Sequence, residues 1–131
     1  MKESSIEGYL HQRVVEMGGT SRKFVSPGTN GVADRLCFFK PGQTFFVELK
    51  APGKKEDPDQ VTERRKMEGL GFICFCCDSY ASVDFCLARI RGILAKTPTA
   101  EQLDKLQKEN DQLRASIRGP IRDTHATSRV R

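Results

Sequence analysis

The amino-acid sequence predicts an α/β fold, a mixed sheet flanked by helices, followed by a C-terminal helical tail with a coiled-coil-like repeat. Three observations predict it. Over residues 1–96, apolar runs of strand length alternate with stretches whose apolar residues follow a helical spacing. Two of those runs are joined by turn residues alone, which marks a hairpin. From residue 97 onward the pattern changes to a heptad, so the chain divides into a globular domain, 1–96, and a tail, 97–131.

Glu3 to Met17 opens the chain with a stripe of Ile6, Tyr9, Leu10, Val14 and Met17, closed by Gly18-Gly19. Glu7 borders this stripe and can point inward; a surface carboxylate on a first helical turn is the plainer alternative. Lys23-Phe24-Val25 reads as a short strand. Ser26-Pro27-Gly28-Thr29-Asn30-Gly31 is loop chemistry, and its glycines and Asn permit a sharp turn or a close backbone approach. Asp34 to Phe39 and Phe45 to Lys50 are strands joined by Lys40-Pro41-Gly42-Gln43. Ala51 to Asp57 is an exposed connection. Pro58 starts a helix capped by Asp57, with Gln60 in its first turn and a stop at Gly69 or Gly71.

Phe72 to Cys77 is a continuous apolar run, expected to be a strand covered on both faces and parallel to the Glu48 strand through a right-handed crossover. Ser79 or Ser82 caps the next helix, carried by Val83, Leu87, Ile90 and Leu94 and ended by Lys96-Thr97-Pro98. Beyond it, Leu103, Leu106, Asn110, Leu113 and Ile117 hold an a/d rhythm, with Asn110 at an a position, Glu109 at g and Arg114 at e. A helix that folds back on its own domain is the alternative.

Composition narrows the function classes. No apolar run approaches the length that crosses a bilayer, and residues 1–8 lack the apolar segment of a signal peptide, so a cytoplasmic protein is expected. The five cysteines are an odd number within apolar stretches and read as reduced, buried small hydrophobes. Cys74 and Cys76 face away from Cys77 on a strand and have no nearby His, which argues against zinc. His11 and His125 have no partner motif and read as exposed. Of the formal charge of +5, residues 114–131 carry +4, through five arginines against Asp123. A basic arm beside a nearly neutral domain suits a polyanion, and a solvated terminus is the alternative.

The chemistry concentrates at one end of the hairpin. A strand's two-residue period puts Glu48 and Lys50 on one face, and antiparallel pairing brings Asp34 to the same end. Carboxylates on adjacent strands are hard ligands suited to Mg²⁺, and a nearby ammonium can hold and polarise water. An ordinary cross-strand ion pair explains the same residues. The order of all the pieces is more specific: Glu7 in a first helix, Lys23-Phe24, Ser26-Pro27-Gly28, Gly31-Val32-Ala33-Asp34, Phe46-Val47-Glu48-Leu49-Lys50-Ala51-Pro52-Gly53-Lys54, and Gln60 in a helix. This series resembles the VRR-NUC domain of the PD-(D/E)XK nuclease superfamily over about residues 3 to 90.

The resemblance implies a restriction-endonuclease-like fold and a metal-dependent DNA endonuclease using Mg²⁺ or Mn²⁺. It implies structure selectivity similar to Holliday-junction resolvases, with branched DNA and a second copy of the chain as partners. It implies Asp34, Glu48 and the Leu49 backbone carbonyl as metal ligands, Lys50 as the catalytic lysine, Glu7 near the metal directly or through water, and Gln60 positioning water or Lys50. The family commonly has Pro before the aspartate, where this chain has Ala33; proline supplies stiffness and no ligand atom. Lys23, Lys54, Lys55, Arg64, Arg114 and Arg118 are the candidate DNA contacts, with a solvated face as the alternative for Arg64-Arg65-Lys66. A non-catalytic protein that binds structured DNA, or a dimeric interaction module, are the competing classes. Acids that repel phosphate argue against simple binding.

Overall fold

The computed structural model describes residues 2–118. Its elements are α1 (Glu3–Glu16), β1 (Thr20–Lys23), β2 (Arg35–Phe39), β3 (Gln43–Leu49), α2 (Pro58–Gly69), β4 (Ile73–Cys77), α3 (Tyr80–Lys96) and α4 (Ala100–Arg118). Residues up to Thr97 form one compact unit, and a second begins at Pro98.

The four strands lie in chain order, β1-β2-β3-β4. β1 pairs antiparallel with β2, and β2 with β3 through the expected hairpin. β4 joins β3 in parallel, with Glu48 in register with Cys76. The helix between β3 and β4 makes that parallel return possible, since parallel neighbours need a crossover. The first strand begins three residues before its expected position, because Gly18 turns the chain at φ 88° and pairing starts at once with Thr20 opposite Phe38.

Strand alternation sorts the side chains onto two faces. Phe45, Val47 and Leu49 of β3, with Cys37, Phe39 and Cys77, meet Ile6, Leu10 and Val14 of α1 and Val83, Leu87 and Ile90 of α3. These side chains form the core. The opposite face carries Phe46 and Glu48 and is lined by α2, which contributes no buried residue of its own. Phe24 and Phe72 flank Phe46 there, at ring separations of 6.0 and 5.2 Å.

Three sequence expectations change. β4 is an edge strand, approached by α3 on one face and α2 on the other but incompletely covered: Cys77 is buried, Ile73, Cys74 and Phe75 are half-buried, and Cys76 is exposed. Cys76 therefore departs from the picture of uniformly buried thiols. His11 is half-buried, its Nδ1 sharing a 2.6 Å hydrogen bond with the hydroxyl of Ser21, a buried polar side chain on β1. His125, with Arg122, Arg129 and Arg131 of the basic arm, lies outside the described residues.

Candidate active site

The end of β3 is where the predicted residues meet. Arg35 is in register with Val47, and one step further the chain sets Asp34 beside Glu48. Asp34 Oδ2 accepts the Leu49 N–H at 2.8 Å, and the Asp34 carbonyl accepts the Phe24 N–H at 2.9 Å. Both bonds fix Asp34 across the end of the hairpin. Glu48 is 5% exposed. Burial, then a hydrogen bond to Asp34 and the Asp34 charge, push its carboxyl up to about 9, against a smaller lowering by Lys50. Two carboxyl groups in hydrogen-bond contact in a dry place cannot both ionise at ordinary cost.

Lys50 follows on the same face. Its backbone N–H donates to the Cys77 carbonyl at 2.9 Å, which ties the end of β3 to β4. Its side chain is 14% exposed, and Nζ lies 3.9 Å from Asp57 Oδ2. Asp57 is the N-cap of α2, and the Gln60 Oε1 accepts the Asp57 N–H at 2.8 Å in a capping box. The predicted glutamine thus acts first on the helix start that faces Lys50.

The loop before Asp34 sets the distance to α2. Gly31 has φ 82°, and a Cβ there would overlap the Asp59 carbonyl and lie 2.8 Å from Gln60 N. Only a glycine permits both the conformation and the approach. Between α2 and the sheet lies a narrow crevice bordered by Phe24, Phe46, Met67, Glu48 and Gln60.

Glu7 is carried by α1. It is held on the α1 side by Arg35 Nη2 at 3.3 Å and Lys23 Nζ at 3.7 Å. Among the described residues, no three His, Cys, Asp or Glu side chains form a cluster able to cage a metal. Arg35 and Lys23 are thus the ionic partners of Glu7, the residue expected near the metal directly or through water.

Sequence reasoning missed a neighbour of Glu48. Both Glu56 oxygens accept from Arg64 Nε, at 3.0 and 3.1 Å, and Arg64 Nη1 donates to Glu68 at 2.8 Å. Glu56 is 13% exposed and adds to the negative field at Glu48. Arg64, expected among the DNA contacts, braces this carboxylate against α2. Only the Arg64–Glu68 half was readable, from its i,i+4 spacing. The other predicted cations remain accessible: Lys23 is exposed, and Lys54 and Lys55 border an open groove shared with Cys76 and Asp78. Arg114 is exposed on α4; Arg118 ends that helix, and its side chain lies outside the described set.

The donor set fits a divalent cation. Mg²⁺ and Mn²⁺ take hard oxygens, and Mg²⁺ is commonly bound through one or two carboxylates with water completing the shell. Buried Glu48, whose proton is held by burial and by its neighbour Asp34, is relieved by such a charge. A closed, all-protein zinc cage is not assembled among the described residues.

No protein-family model matches the chain. It is 44% identical over 79 residues to the protein named "Putative nuclease p44" of Acyrthosiphon pisum secondary endosymbiont phage 1, covering 60% of this chain and 85% of the relative. A solved structure described as a VRR_NUC domain superposes with a TM-score of 0.62 at 30% identity, over 66% of this chain and 94% of its own. With 85% of that relative and 94% of that structure covered, the chain belongs to the VRR-NUC family of nucleases.

Proposed function

We propose that this nuclease is a DNA endonuclease dependent on Mg²⁺ or Mn²⁺, selective for branched structures in the manner of Holliday-junction resolvases, and active as a pair of copies in the cytoplasm. The observation that carries the reading is buried Glu48 beside half-buried Asp34, with Lys50 on the same strand end. Asp34, Glu48 and the Leu49 carbonyl would hold the cation, which supplies Lewis-acid stabilisation of charge on phosphoryl oxygens.

The chain's own residues do the remaining work. Leu49 N–H fixes Asp34 Oδ2, which leaves the other carboxylate oxygen to meet the cation. Lys50 presents a cation beside the scissile group and orients the attacking water through its N–H donors. Asp57 steadies that ammonium, and Gln60 steadies Asp57. Glu7 acts at one remove, by holding Arg35 and Lys23 at the edge of the site. Lys23, Lys54 and Lys55 contact the phosphates that flank the cleaved bond, with Arg114 and Arg118 as further contacts. A four-way junction offers two-fold related strands, which a symmetric pair of sites matches.

The test is incubation of the purified chain with labelled four-way junction, flap, single-stranded and linear duplex DNA, with Mg²⁺, Mn²⁺ or EDTA. Metal-dependent cleavage that is fastest on the junction is expected. Binding without cleavage in any metal would make the chain a non-catalytic reader of DNA structure, and equal rates on all substrates would remove the structure selectivity.

A further inference from the structure

Helix α4 opens on its own cap. Thr99 Oγ1 accepts the Gln102 N–H at 3.2 Å, and Gln102 Oε1 accepts the Thr99 N–H at 2.7 Å. Its polar faces are satisfied within the helix, by Lys108 with Asp104 at 2.9 Å and Gln107 with Asp111 at 2.9 Å. One face is left over. Leu103, Leu106, Leu113 and Ile117 are 42%, 53%, 55% and 70% exposed, in a single line broken by exposed Asn110.

We propose that α4 pairs with α4 of a second copy of this chain as a parallel, in-register, two-stranded coiled coil, with Asn110 facing its own counterpart. This inference names the surface that joins the pair of copies proposed above, and it uses no residue of the carboxylate–lysine site. The line is a heptad seam, with Leu103, Asn110 and Ile117 at a and Leu106 and Leu113 at d. Asn110 selects the arrangement: in a parallel pair a meets a, so the two amides bond each other, whereas an antiparallel pair sets each amide against a leucine. The flanks are self-complementary as well. Glu109 at g meets Arg114 at the following e of the other copy, and two-fold symmetry makes the contact twice.

Other occupants fit less well. A membrane-surface helix carries a cationic polar face, and here acids and lysines alternate through Asp104, Lys105, Lys108 and Asp111. An unrelated helix would have to supply its own Asn and the mirrored charges. Five seam positions on a 19-residue helix make a short coil, so the association is reversible and concentration-dependent.

Sedimentation velocity on the full chain over a concentration series tests it. The wild type should pass from monomer to dimer, and Leu106→Glu/Leu113→Glu should remain monomeric while keeping the far-ultraviolet dichroism of the folded protein. Glu109→Arg should weaken dimerisation about tenfold, because both symmetric ion pairs become repulsive. Adding Arg114→Glu should restore it. Asn110→Leu should broaden the species beyond dimers. A wild type that stays monomeric, a dimer indifferent to the Leu106/Leu113 pair, failure of the charge swap to rescue, or a sharp dimer in the Asn110 variant would each overturn the proposal.

Discussion

Gly31 and Gly28 have nearly the same backbone conformation, φ 82° and 83°, but different surroundings. A Cβ on Gly28 meets nothing within 4 Å, whereas one on Gly31 collides with the Asp59 backbone at the start of α2. The pair therefore separates conformational strain from crowding. Alanine in the left-handed region costs roughly 1–2 kcal/mol at either site. At Gly31 the neighbour is backbone and must move, which adds about 2 kcal/mol in the range of overpacking. Gly31→Ala should then melt on the order of 10 °C below Gly28→Ala in this small unit. Because α2 carries Asp57 and Gln60, Gly31→Ala should also lose cleavage by on the order of tenfold or more, as displaced groups do. Gly28→Ala should cleave at the wild-type rate. Thermal melts and initial rates on the two variants decide the matter, and matched losses in both would refute the idea that Gly31 sets the distance of α2 from the site.

Two further outcomes follow from Glu48 and Glu56. Native Glu48 holds a proton up to about pH 9, where an exposed carboxyl releases it near 4.5. Its contribution to stability is therefore full below pH 4.5 and lost as pH rises toward 9, roughly 3 kcal/mol by pH 7. In EDTA, Glu48→Gln should remove that slope in urea titrations at pH 5 and pH 8 and should exceed the wild type at the higher pH; parallel curves would contradict it. Arg64→Ala should cost about 1 kcal/mol by leaving half-buried Glu56 unpaired, and adding Glu56→Gln should recover most of it. A loss of DNA affinity with unchanged stability would return Arg64 to the DNA contacts.

Periodicity and turn chemistry made the fold legible. Ile6, Leu10 and Val14 marked α1, the 40–43 turn marked the hairpin, and Asp57-Pro58 marked the start of α2 within a residue. The extent of burial on β4 was not legible, since an apolar run of five looks the same at a sheet edge as at its centre. Asp34, Glu48 and Lys50 were readable because strand period and hairpin pairing are local rules. The Glu56–Arg64 brace and the capture of Glu7 by Arg35 depend on how helices settle on the sheet, which no spacing in the sequence records.

The central claim is that one strand end joins two carboxylates and a lysine for phosphodiester cleavage. Cleavage of a labelled four-way junction in Mg²⁺ by the wild type, Asp34→Ala and Lys50→Ala, with binding of the same DNA measured at low salt, tests it most directly. The account predicts cleavage by the wild type alone, abolished by EDTA, with all three proteins still binding. Cleavage that survives in either variant would place the chemistry elsewhere on the chain.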